Sequence, residues 1–259
     1  MSPQREKADA ALKTVLSLLC SEDSAKTLAA ATRHKIQSDA PSAKWSLANR
    51  LLMMQAGTTD ARGFKQWKKA GRHVVKGGQH FKILGPRMVE DEDGAEGDTK
   101  CIGFCAIRVF ALSETDGEPI PSLDPNELPA LSEAAERMGY EVSYNDTAGS
   151  YGYAQHNPGG GGIIVLGSHD PDVYWHELAH AAHRSFEPKK QGGQEDDAEV
   201  VAETVAAVLA ELYGSGATGT HVEYILSYCA GEPRKATRLV KTIERVLDQI
   251  LIDEDEAAA

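Results

Sequence analysis

The stretch His176-Glu177-Leu178-Ala179-His180 has the H-E-x-x-H form. Residues four apart on an α-helix lie one turn above each other on the same face. Two imidazoles at this spacing can therefore reach one ion, while Glu177 stands beside it. The chemistry of such a trio is hydrolysis: the imidazoles hold a cation, the cation acidifies a water, and the glutamate takes the proton. Local residues predict the helix this requires. Asp170 suits the N-cap and Pro171 the first helical position, and no breaker follows until Ser185-Phe186-Glu187-Pro188. An exposed amphipathic helix could carry the same string by chance, without metal.

A tetrahedral catalytic ion needs a third protein donor. After a polar Lys189 to Gly193 turn, an acidic start at Glu195 runs into an Ala/Val helix that ends near Gly214. On it Glu199 and Glu203 are one turn apart, and their stripe continues through Ala206 and Ala210. The economical arrangement places Glu199 on the metal with His176 and His180, and Glu203 on the outer N–H of a ligand histidine. Glu177 is then the general base that returns its proton to the leaving amine. Two imidazoles and a carboxylate suit Zn2+, and Mn2+ as well. His183 reads more simply as a packed or solvent-facing residue. Tyr151, Tyr153, His221 and Tyr224 are unranked candidates for stabilising an oxyanion.

The chain that must position these groups has 259 residues, enough for two compact domains. No apolar run approaches membrane-spanning length, and the N-terminus lacks the apolar core of a signal peptide, so the chain is read as cytoplasmic, with no membrane partner. Its cysteines (Cys20, Cys101, Cys105, Cys229) are scattered and imply no disulfide framework or zinc ribbon. The net charge of -12 conceals an asymmetry. Residues 41–90 hold ten Lys/Arg against two acids, a net +8, and the remainder is -20. One basic segment inside an acidic protein is the footprint of a module that meets phosphate.

Helices are predicted around Ala8 to Leu19 and from Trp45 to Met54. Residues 64–86 follow, with a hairpin expected to turn at Gly77-Gly78. Lys65, Lys68, Lys69, Arg72, Lys76 and Lys82, interleaved with Trp67 and Phe81, form the pattern that grips single strands: cations along the backbone, rings against bases. A solvated basic face over a core containing the two aromatics fits the same residues. A long strand is expected from Cys101 to Leu112, beyond an acidic loop at 90–98. Glu118 to Pro125 is a Pro-rich connector and the best domain boundary. A helix at 131–138, strands at 141–144, 151–154 and 162–166, and closing helices at 221–228 and 232–252 complete the pattern.

With these residues in view the chain resembles a known family. Trp45, Asn49, Phe64-Lys65-Gln66-Trp67, Gly71 to Gly77, Ile83-Leu84-Gly85-Pro86 and Arg108 to Gly117 are similar to the single-stranded-DNA-binding domain of ArdC-type antirestriction proteins. Tyr174 to His180 and Glu199 to Glu203 are similar to the metallopeptidase domain that follows it there, related to ImmA/IrrE peptidases. The resemblance implies an α+β protein of two domains. Residues 1–118 would bind single-stranded DNA, with helices and a small antiparallel sheet. Residues 119–259 would form a mostly helical, zincin-like peptidase with a small sheet. It further implies protection of incoming plasmid or phage DNA from restriction. Two alternatives share these residues: a DNA-associated protease whose substrates are DNA-bound proteins, and a regulatory ImmA/IrrE-like protease that cleaves a repressor.

Overall fold

The structure, a computed structural model, describes residues 3–90, 99–120, 130–145, 151–186, 195–214, 221–229 and 232–252. The architecture is α+β. Helices α1 (Pro3–Leu19), α2 (Ser24–Gln37) and α3 (Leu47–Gln55) lead into β1 (Ala61–Arg62), α4 (Phe64–Lys69), β2 (Arg72–Val74), β3 (Phe81–Glu90), β4 (Thr99–Ala111) and β5 (Thr115–Gly117). Then come α5 (Ala134–Arg137), β6 (Tyr140–Tyr144), β7 (Gly152–His156), β8 (Gly162–Leu166), α6 (Pro171–Phe186), α7 (Glu195–Tyr213), α8 (His221–Cys229) and α9 (Pro233–Leu251). No described helix is long and apolar enough to cross a membrane.

The hairpin expected at Gly77-Gly78 does not form. A turn is present, with Gly77 at φ +86° and the Gly78 N–H donating to Val75 O at 2.9 Å, but its arms diverge. β2 pairs antiparallel with β5, Arg72 opposite Gly117, and β3 pairs antiparallel with β4. The reason is ladder length: β3 has ten residues and β4 thirteen, whereas β2 could offer only three. β1 closes the other edge of β4. The acidic loop lies at 91–98, outside the described residues.

A second sheet has the order β6-β8-β7, with β8 parallel to β6 and antiparallel to β7. β7 is thus an edge strand, and it lies against α6.

One apolar cluster runs through the molecule. It joins Leu12, Val15 and Leu19 of α1, Leu28 of α2 and Leu51 of α3 to Leu178 of α6, Val205 and Leu209 of α7, and Ile243, Val246 and Ile250 of α9. The buried guanidinium of Arg50 reinforces the joint. It donates to Ala31 O at 2.8 Å and to Trp45 O, and pairs with Glu244 of α9 at 3.1 Å. A guanidinium this buried is tolerable because its donors are satisfied. Lys35 of α2 reaches Asp248 of α9 at 2.6 Å. A smaller cluster of Met53, Ala61, Ile83 and Val109 fixes the first sheet on α3.

Candidate metal centre and basic face

Helix α6 begins as its sequence predicts. Asp170 Oδ1 accepts the backbone N–H of Asp172 at 3.1 Å, and Pro171 occupies the first position, where a missing N–H costs nothing. Trp175, Leu178, Ala179 and Ala182 are buried, which turns His176 and His180 together toward α7. Val201, Val205, Val208 and Leu209 bury the opposing side of α7, leaving Glu199 and Glu203 half-buried or exposed over the two imidazoles.

The donors converge. His176 Nε2 lies 3.0 Å from His180 Nε2 and 3.5 Å from Glu199 Oε2, and His180 Nε2 lies 3.3 Å from Glu199 Oε1. Ligand atoms of all three residues fit within 4.8 Å of one another. A tetrahedral ion with bonds of about 2.0–2.1 Å separates its ligand atoms by about 3.3 Å, so the donor set fits a zinc-sized divalent cation. On the other ring nitrogen, His176 Nδ1 is 3.5 Å from Glu203 Oε1. The five residues named from spacing are therefore assembled at one place.

The electrostatics follow from this crowding. Burial pulls the His176 pKa down, but the hydrogen bond to Glu199 and the carboxylates of Glu203 and Glu177 outweigh it, and the net direction is up. Hydrogen bonds from His176 and His180 hold Glu199 well below the usual carboxylate range. Glu177, 8% exposed, goes the other way, because burial raises its pKa against the pull of His180 and His176. Its carboxylate accepts a hydrogen bond from the backbone of Ala154 on β7. β7 comes so close here that a Cβ at residue 152 would lie 3.1 Å from Glu177 Cγ, which explains Gly152.

Beside His176 opens a cleft of about 360 Å³, lined by Tyr151, Gly152, Asp172, Val173, Glu177, Glu203, Ala206, Ala207 and Ala210. Of the expected oxyanion candidates Tyr151 lines it; the side chains of His221 and Tyr224 lie outside the described residues. His183 is buried, its ring 5.5 Å from that of Phe186. His156, which spacing did not single out, meets the Tyr140 hydroxyl at 2.6 Å. Its pKa is lowered to about 4 by burial, then by Arg184 and His180.

The basic face needs two corrections. Trp67 is 0% exposed. Its indole N–H donates to Phe110 O at 3.0 Å and the Arg62 guanidinium caps its ring at 4.8 Å, so it cannot stack on a base. Arg72 is tied into the β2–β5 pair, donating to Thr115 Oγ1, Thr115 O and Gly117 O at 2.9–3.0 Å, and to Glu118 O. Both residues hold the scaffold because α4 lies on the sheet and β2 has no longer partner.

Lys65, Lys68, Lys69 and Lys76 are exposed, and Lys82 is half-buried. At about 100° per residue, Lys65 and Lys69 point directly away from Trp67, and Lys68 and Phe64 fall between. Phe64, 60% exposed, is the accessible ring among these lysines, which the sequence reading passed over. Register adds Arg108, directly across from Lys82 on β4. Two cations so placed repel, and neither has an ion-pair partner among the described residues. Spacing could not reveal that pair, since its members are brought together only by strand register.

No protein-family model matches the sequence, and no curated protein does. Among solved structures, the chain is similar to the metal-free crystal structure of the antirestriction ArdC protein from the R388 plasmid. The TM-score is 0.51 at 18% identity, over 78% of this chain and 82% of that one. The Mn(II)-bound crystal structure of that protein gives a TM-score of 0.54 at 18% identity, over 82% of this chain and 84% of that one. The likeness expected from the sequence therefore holds for the fold.

Proposed function

We propose that this chain is an ArdC-like antirestriction protein. In this reading residues 1–118 bind single-stranded DNA, and residues 119–259 cleave protein with Zn2+ or Mn2+ held by His176, His180 and Glu199. The observation that carries the reading is the convergence of those three donors within 4.8 Å, beside the buried Glu177. The Mn(II)-bound form of the fold neighbour supports a divalent ion, and its antirestriction role supports protection of incoming plasmid or phage DNA.

When bound, the ion supplies Lewis acidity, which brings the pKa of water toward neutrality. Glu203 accepts the Nδ1–H of His176 and so keeps the Nε2 lone pair aimed at the donor cluster. Glu177 takes the proton of the attacking water and returns it to the leaving amine. Its backbone hydrogen bond from Ala154 fixes the carboxylate for both transfers. Tyr151, on the cleft wall, donates to the developing oxyanion. Lys65, Lys68, Lys69, Lys76 and Lys82 neutralise phosphates of the single strand, and Phe64 stacks on a base.

The test pairs a metal analysis of the purified protein with a single-strand titration at several salt concentrations. Stoichiometric zinc or manganese and an affinity that falls steeply with salt are expected. A metal-free protein that still hydrolyses peptides, or binding indifferent to salt, overturns the corresponding half.

A further inference from the structure

We infer that the cleft beside His176 is a pocket for a lysine or arginine side chain, which makes basic segments of DNA-bound proteins the substrate class of the peptidase site. This inference rests on the metallopeptidase reading above. The cleft, about 360 Å³, is large enough for one long side chain, and His176 puts one end of it at the metal donors.

Its α7 wall is Ala206, Ala207 and Ala210, small residues that leave room for a methylene stem and offer it only apolar contact. Its α6 wall brings Asp172 from the first helical turn. The Glu203 carboxylate is engaged with His176, whereas Asp172 has no ion-pair partner among the described residues. Burial and the neighbouring Asp170 raise the Asp172 pKa, which means that its charge is incompletely solvated and that a cation would relieve it. Among the described residues no Lys or Arg lines the cleft.

An apolar stem with a cationic head matches this arrangement; an acidic side chain would be repelled. The rest of the chain agrees. Outside residues 41–90 the chain carries a net -20, so basic segments are attracted to the protein as a whole outside its basic segment. Proteins seated on DNA present such segments, and the exposed lysines around Phe64 would bring the pocket to them.

The experiment measures binding of arginine hydroxamate, norleucine hydroxamate and acetohydroxamate to the zinc-loaded full chain by calorimetry. Arginine hydroxamate is expected to bind about tenfold tighter than norleucine hydroxamate. Asp172→Asn should bring the two within about twofold, and Ala207→Leu should weaken both while leaving acetohydroxamate unaffected. Equal affinity of the arginine and norleucine compounds in the unaltered protein overturns the pocket assignment, even where acetohydroxamate binds. Failure of acetohydroxamate itself to bind removes the metallopeptidase reading, and this inference with it.

Discussion

The α6–α7 site and the α4–β3–β4 face use charge in opposite ways. Between α6 and α7, imidazoles and carboxylates are packed at 3.0–3.5 Å, and neighbouring groups shift the proton affinities of His176, Glu177 and Glu199. On the basic face Lys65, Lys68, Lys69 and Lys76 are exposed to water, and Lys82 and Arg108 are set side by side. Short range and partial burial make the first site insensitive to salt and sensitive to single atoms. Dispersed exposed charge makes the second sensitive to salt and tolerant of single losses. A point reagent suits the former and a flexible polyanion the latter.

The largest effect that would break this contrast is at Glu177. Glu177→Gln should lower peptide cleavage by about a hundred- to ten-thousand-fold with metal retained, read by turnover and metal analysis together. Undiminished turnover removes Glu177 as the base. Next, Trp67→Ala should reduce unfolding free energy by about 3–5 kcal/mol in a denaturant titration, because it empties the space under α4. Phe64→Ala sharpens the point: single-strand binding should weaken by about 1–3 kcal/mol while stability stays within about 0.5 kcal/mol. If the two variants exchange phenotypes, the inside and outside of α4 have been misassigned.

Glu203→Ala should lower metal affinity about 10- to 100-fold in competition with a chelator, since His176 loses the group that orients it. Replacing Lys65, Lys68 and Lys69 together with Ala should flatten the slope of log affinity against log salt by about 2, leaving metal affinity unchanged. The smallest effect concerns pH. The folded His156 titrates near 4, below its ordinary 6.5, so its stabilising contribution is full above 6.5 and is lost as pH falls. Between these values the unfolded chain binds a proton that the folded chain refuses. For a half-buried ring the loss by pH 4 is about 1–2 kcal/mol after solvent screening, and His156→Gln should flatten that part of the stability curve.

The candidate metal centre was legible because its determinants are local. Four-residue spacing, the Asp170 cap and the alanine stripe beyond Glu203 each fix a direction without reference to distant chain. The strands from Tyr140 to Leu166 and the helices α6, α7 and α9 follow their patterns to within a few residues. The basic face was legible in composition but not in role. A tryptophan between lysines reads alike as a stacking platform or a core residue, and the packing of α4 on β1 and β4 decides it. Gly77-Gly78 marks a real turn, yet strand pairing was settled by the thirteen-residue β4 far along the chain. Helix α2 went unseen because much of its buried face is alanine, which gives little hydrophobic contrast.

The apolar mass that joins α1, α2 and α3 to α7 and α9 has a thermodynamic consequence. Heat cannot melt α1, α2 and α3 while sparing α7 and α9, because the two sets share one apolar cluster. On the proposed function, a cation captured at one pole would therefore raise the temperature at which the opposite pole loses its shape, and a bound strand would do the same in return.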